Sequence, residues 1–228
     1  MISFVSIGMN LGCGQYSGQM IYLLVSMKSK PAPARIGRPR AFEADLALDR
    51  ALHVFWKKGY EGATLSDLTR AMDINRPSLY AVFGSKEQLF RKALDRYAEG
   101  PAASVRESLD QPTARAVVEK MFRAAIDMVT NPRTPAGCFM VQGALACGDA
   151  AHSIQEELIS RRAAGELALR RRLQRAKRAG DLPSKTDPAD LARYVVTVIH
   201  GMAVQRAGGA TRAQLFRVMK TALRAWPK

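Results

Sequence analysis

Three helix-start signals crowd into residues 64–88 of this chain, and they leave little room between them. Thr64 has Asp67 three residues on, Asn75 stands before Arg76 and Pro77, and Ser85 has Gln88 three residues on. A Thr, Asn or Ser side chain accepts from the free N–H groups of a first helical turn, and an acid or amide three residues later returns the bond. A proline in that first turn has no intrahelical hydrogen bond to lose. Residues 65–72 and 76–83 therefore read as helices of about two turns, too short to be stable alone. Such a pair must fold as a tight hairpin held by its neighbours.

Both short helices have a buried side and a polar side. Leu65, Leu68 and Met72 share one stripe, as do Leu79, Val82 and Phe83, whereas Arg76, Ser78 and Tyr80 point away from theirs. Gly84 suits the left-handed conformation that stops a helix.

Around this hairpin the apolar residues recur at three- and four-residue spacing, with no alternating run flanked by hairpin turns, so the fold class is all-α. Helices are expected at 44–58, ending at Gly59, at 85–100, and at 114–130, 138–148, 152–179, 188–206 and 211–226. The Gly100-Pro101 pair marks a boundary. Three regions follow: 1–41, an extension with a basic arm; 42–100, a helix-turn-helix domain; and 101–228, a larger helical domain. The residues before Met27 carry no charge and fit no targeting class, and translation is expected to begin at Met27.

At 228 residues with 47% hydrophobic content the chain can bury a substantial core, and its formal charge of +15 favours an acidic partner. The excess is spread evenly, so charge alone locates no binding face. Residues 28–40 are the exception: Lys28, Lys30, Arg35, Arg38 and Arg40 occur there with three prolines and no acid, the composition of a mobile basic arm. Two short helices behind such an arm have the size of a helix-turn-helix, whose second helix enters the DNA major groove. Lys86 adds to this. A cation at a helix start opposes the macrodipole unless a phosphate sits there.

The run ALDRALHVFWKKGYEGATLSDLTRAMDINRPSLYAVFGSKEQLFRKAL resembles the N-terminal domain of the TetR/AcrR family of transcriptional regulators. The most specific part is the ordered set Gly59-Tyr60, Leu79-Tyr80, Phe83, Ser85-Lys86-Glu87 and Leu89. The resemblance implies that Arg76, Pro77 and Ser78 face base edges or the groove wall, and that Tyr80, Lys86 and Thr64 bind phosphates. Tyr60 and the arm residues Arg38 and Arg40 would support the backbone contacts. It also implies double-stranded DNA as partner, a homodimer, and a pocket for an unknown small-molecule effector. Asp73 departs from the pattern, standing where the family usually has glycine; aspartate tolerates the left-handed conformation better than most residues, so the turn is expected to survive at slightly lower stability.

Beyond residue 101 the side chains say less. The wide apolar faces of 188–206 and 211–226 suit a four-helix dimer interface. Phe122, Ile126, Cys138, Phe139, Gln142 and His200 mix apolar bulk with a few polar groups, as ligand pockets do. The arginine-rich stretch 152–179 reads as a solvated helix face.

Three cysteines fit a reducing cytoplasm and no disulfide framework. Cys138 and Cys147 are half a turn out of phase on a helix, and His53, His152 and His200 are scattered, so no metal site or cofactor is expected. No nucleophile, base and orienting group stand at recognisable spacing, so no catalytic residue is expected, and no apolar run is long enough to span a membrane. The same features would also fit a helical small-molecule-binding protein or enzyme that keeps its helix-turn-helix for packing alone.

Overall fold

The computed structural model describes residues 41–145 and 151–227, and within them the chain is helical with no strand. The arm residues Arg38 and Arg40, and Cys147, lie outside the described residues. Helix α1 is Ala41–Gly62, and it carries a kink at Gly59 (φ 71°, ψ 178°) where an end was expected. The glycine interrupts the hydrogen-bond ladder, and one further turn brings Tyr60 back onto the Phe55 ring at 6.5 Å.

The three caps form as the spacing predicts. Thr64 Oγ1 accepts from the Asp67 N–H at 3.1 Å and the Asp67 carboxylate accepts from the Thr64 N–H at 3.1 Å, starting α2, Leu65–Met72. Asp73 closes α2 in the left-handed conformation, φ 58°, the single non-glycine residue with positive φ among those described. Asn75 Oδ1 accepts from the Ser78 N–H at 2.8 Å to start α3, Arg76–Phe83. Ser85 and Gln88 exchange bonds at 3.1 and 2.9 Å to start α4, Lys86–Glu99.

A short helix α5, Ala103–Glu107, and a 3-10 turn at Ser108–Asp110 follow; neither was expected, since five residues carry no readable period. Then come α6 (Ala114–Val129), α7 (Phe139–Leu145), α8 (His152–Arg178), α9 (Pro188–Ala207) and α10 (Arg212–Arg224).

Two hydrophobic clusters organise these helices, and their border does not follow the chain boundary at residue 100. The first holds Phe55, Leu68, Leu79, Phe83, Phe90 and Tyr97 of α1–α4 together with Phe139, Ile154 and Leu158 from α7 and α8. The second gathers Val118, Phe122, Ile126, Leu169, Val195 and Met219 from α6 and α8–α10. Helix α8 therefore belongs to both, and α7 to the first. Burying Leu79 and Phe83 completely, at roughly 1.5–3 kcal/mol per side chain, is what holds α3 in place.

The arginine-rich face of α8 is not wholly solvated. Arg161 pairs with Asp95 of α4 at 2.7 Å and with Glu157 at 2.6 Å, and Arg162 donates to the Met140 carbonyl at 2.9 Å. Arg172 donates to the carbonyls of Leu109, Gln111 and Pro112 at 3.1, 2.6 and 3.0 Å, pinning the turn between α5 and α6. Arg170, Arg171, Arg175 and Arg178 remain exposed.

Candidate nucleic-acid interface and ligand cavity

The α2–α3 hairpin presents Thr64, Ser66, Arg76, Pro77 and Tyr80 to solvent, with Ser78 half-buried beside them. Tyr80 is 49% exposed although its neighbour Leu79 is fully buried. Both ends of α3 are tied to adjacent helices. Arg76 Nη2 donates to Ser66 Oγ at 3.2 Å, and Lys92 Nζ of α4 donates to the Val82 carbonyl at 3.3 Å, satisfying a carbonyl that the helix end would leave open.

Lys86 lies at the start of α4, its ammonium 4.6 Å above the Tyr60 ring. Partial burial lowers its pKa, with Glu61 opposing. A half-buried cation at a positive helix end would be favoured by an added anion such as a phosphate. Thr64 is already engaged, its hydroxyl donating to Asp67 Oδ2 at 2.7 Å. The Lys58 ammonium, 2.8 Å from Asp67, and the Thr64 hydroxyl hold the Asp67 carboxyl well below the usual range.

Within residues 76–86, Arg76, Pro77 and Tyr80 are exposed and Ser78 and Lys86 half-buried, with Lys86 against the Tyr60 ring. Ser66 and Lys58 hold Arg76 and Asp67, and their part was not readable from the sequence: each acts across a helix crossing, which spacing along one helix does not encode.

A cavity of about 380 Å³ lies between α4, α5, α6, α8 and α9. Cys138 and His200 line it, as do Tyr97, Arg106, Arg162 and Glu166. The Tyr97 hydroxyl sits 3.2 Å from Cys138 Sγ and 3.1 Å from Met128 Sδ, and burial pushes its pKa up. Burial, with Arg162 nearby, lowers the pKa of His200.

Four of the residues expected in a pocket lie elsewhere. Phe122 and Ile126 are in the second hydrophobic cluster and Phe139 is in the first, all fully buried or nearly so. Gln142 Nε2 donates to the Ala136 carbonyl at 3.0 Å, and its side chain faces a groove shared with His53 and Trp56. Arg106, Arg162 and the methionines of the cavity went unrecognised, because no local pattern marks which side chains border a void. Among the described residues no three His, Cys, Asp or Glu side chains gather to hold a metal ion, and no helix is long and apolar enough to cross a membrane.

On α9 and α10 the apolar surface divides. Leu191, Val195, Met202, Leu215 and Met219 face the core, while Tyr194, Val204 and Val218 are exposed. Gly201 opens onto free space on the same side of α9.

A capped helix-turn-helix joined through α4 to a larger helical domain is the architecture of a helix-turn-helix transcriptional regulator. Residues 47–93 match the model of bacterial regulatory proteins of the tetR family, and residues 112–223 match that of the tetracyclin repressor-like C-terminal domain. The chain belongs to the TetR family. It is 36% identical over 194 residues to the HTH-type transcriptional repressor ComR of Escherichia coli (strain K12), covering 84% of this chain and 92% of that one. A cysteine mutant of the TetR family regulator CifR, solved with 26-base-pair double-strand operator DNA, is 42% identical with a TM-score of 0.79, covering 84% of this chain and all of that one. A TetR regulator from Rhodococcus sp. RHA1 is 38% identical with a TM-score of 0.57, covering 80% and 98%.

Proposed function

We propose that this protein is a ligand-responsive repressor that binds a palindromic operator as a homodimer and acts in the cytoplasm. One observation carries the reading: α3 is fastened at both ends, buries Leu79 and Phe83, and leaves Arg76, Pro77 and Tyr80 exposed, with Ser78 and Lys86 half-buried. Arg76 and Ser78 would read base edges, Tyr80 and Lys86 would hold phosphates, and Thr64 would join them by turning its hydroxyl away from Asp67. Repression is supported by ComR and by the biofilm operon negative regulator IcaR of Staphylococcus epidermidis, 37% identical over 51 residues. The CifR cysteine mutant, solved in complex with operator DNA, supports the partner.

The dimer would form through 188–226, where Tyr194, Val204 and Val218 leave an apolar strip on α9 and α10. A two-fold dimer matches a two-fold operator, with half-sites about one helical turn apart.

For the response, α4, 14 residues long, carries Lys86 at the proposed DNA face and Tyr97 at the cavity wall. It is tied along its length to α8: Glu87 accepts from Ser153 at 2.9 Å, and Asp95 pairs with Arg161 at 2.7 Å. A ligand that moves α8 would move α4, and with it the spacing of the two recognition helices.

Fluorescence anisotropy of the purified chain on DNA from upstream of its own gene tests the reading. Salt-sensitive binding that survives competitor DNA is the expected result, and binding indifferent to sequence would overturn it. Light scattering on the same sample should give the mass of two chains.

A further inference from the structure

The charges around the cavity do not balance. Its lining includes three arginines and one carboxylate, with an apolar remainder of methionines (Met121, Met128, Met140), branched aliphatic residues and alanines. Arg161 is compensated by Asp95 and Glu157. Glu166, the sole acid of the lining, accepts from Arg193 on α9 at 3.0 Å. Arg162 has no carboxylate partner among the described residues; one nitrogen donates to the Met140 carbonyl, and its other donors bond to none of the described residues. Arg106 lines the cavity while exposed to solvent, which places it at the rim, and it too lacks a carboxylate partner there.

We propose that the cavity binds a small hydrophobic carboxylate, its apolar body against the methionines and its carboxylate between Arg162 and His200, with Arg106 at the entrance. This rests on the reading of the cavity as the effector site.

Three physical points select that class. A guanidinium presents a planar fork of donors that fits a carboxylate better than any neutral acceptor, and in a half-buried wall the pairing is worth more than in water. A cationic ligand would meet two unbalanced arginines, with the one lining acid already engaged. A volume of about 380 Å³ lies at the small end of ligand sites, which suits a small molecule. The methionine side chains, flexible and polarisable, adapt to either an aromatic or an aliphatic body.

The test compares head groups on fixed bodies. Isothermal titration of the full chain with 2-naphthoate, 2-naphthol and 2-naphthylmethylamine, and with decanoate, decanol and decylamine, separates charge from shape. In at least one series the acid should bind about tenfold or more tighter than the alcohol, and the amine should bind least. Arg162→Gln should bring the acid down to the alcohol and leave the alcohol unchanged, while Arg162→Lys should restore part of the difference; thermal melts establish that both variants are folded. Alcohols equal to acids, amines preferred, or no binding in either series would overturn the proposal. Operator anisotropy on the same preparation distinguishes the two failures. DNA binding without acid binding removes this inference alone, and loss of DNA binding removes the regulator reading itself.

Discussion

The ring of Phe139 meets the ring of Tyr97 nearly edge-on, their centroids 5.6 Å apart and their planes at 77°. From there a continuous set of aromatic contacts leads to the proposed DNA face. Phe139 packs on Phe90 at 5.2 Å, Phe90 on Tyr60 at 5.2 Å, and the Tyr60 ring lies 4.6 Å beneath the Lys86 ammonium. At its other end the Tyr97 hydroxyl reaches Cys138 in the cavity wall.

The Phe139–Tyr97 pair is expected to contribute about 0.5–1.5 kcal/mol beyond the area it buries. A double-mutant cycle with Phe139→Leu and Tyr97→Leu, read by urea denaturation, measures that term. Additive effects would show that the two rings are neighbours without being energetically coupled.

At the proposed DNA face, two kinds of loss should separate. Lys86→Ala is expected to weaken binding to operator and to random DNA alike, and to reduce the slope of log affinity against log salt by about one. Arg76→Ala should instead cost about 1–3 kcal/mol on the operator and relax preference at one base pair, seen by competition with single-base variants. Equal effects on all sequences from both substitutions would dismiss the division of roles.

The left-handed residue between α2 and α3 carries its own stability signature. Asp73→Val should destabilise by more than about 1 kcal/mol, because a β-branched side chain crowds the backbone at φ 58°. Asp73→Gly should be neutral or stabilise by up to about 1 kcal/mol, its relief of the left-handed strain partly offset by glycine's greater freedom when unfolded. Thermal melts of the two variants against the parent decide the sign.

Arg172 closes three carbonyls of one turn, so Arg172→Met, which keeps the apolar stem, is expected to cost roughly 2–3 kcal/mol. A cost near zero by chemical denaturation would show that water replaces those bonds at no loss.

His200 should make stability depend on acidity. It faces Arg162 and Glu166 on α8, with Arg106 at the rim, and its folded pKa is lowered below the ordinary 6.5, first by burial and then by Arg162. The unfolded chain therefore takes up the proton more readily than the folded one. Stability contributed by the neutral ring is fully present above pH 6.5 and falls as pH drops through the interval down to the lowered folded value. His200→Gln should flatten that part of a plot of melting temperature against pH.

The helix-turn-helix was readable because its determinants are local. Thr64, Asn75 and Ser85 each cap the helix that the spacing assigns, and Asp73 takes the left-handed turn. Gly59 was recognised as a break, yet whether a helix stops or resumes after one depends on what the next turn packs against, here Tyr60 on Phe55. The cavity was only partly readable. Cys138 and His200 were among its walls, whereas Phe139, equally apolar and on the same short helix as Gln142, belongs to the aromatic contacts. Which of two adjacent apolar residues lines a void and which fills the core is decided by how α4, α7 and α8 cross, and no period along one helix records that. The inward arginines of α8 escaped for the same reason: Arg170 and Arg172 read alike in the chain, and only the position of the Leu109–Pro112 carbonyls tells them apart.

The two ties on α3, Arg76 to Ser66 and Lys92 to the Val82 carbonyl, bear on how the chain would meet a partner. A helix of eight residues has no stable existence in water, and many recognition segments of that length acquire their shape only on contact. Here the conformational entropy of ordering the helix is lost when the whole chain folds. The encounter then resembles the docking of a rigid body, its specificity set by a surface already in shape and its speed free of any local folding step.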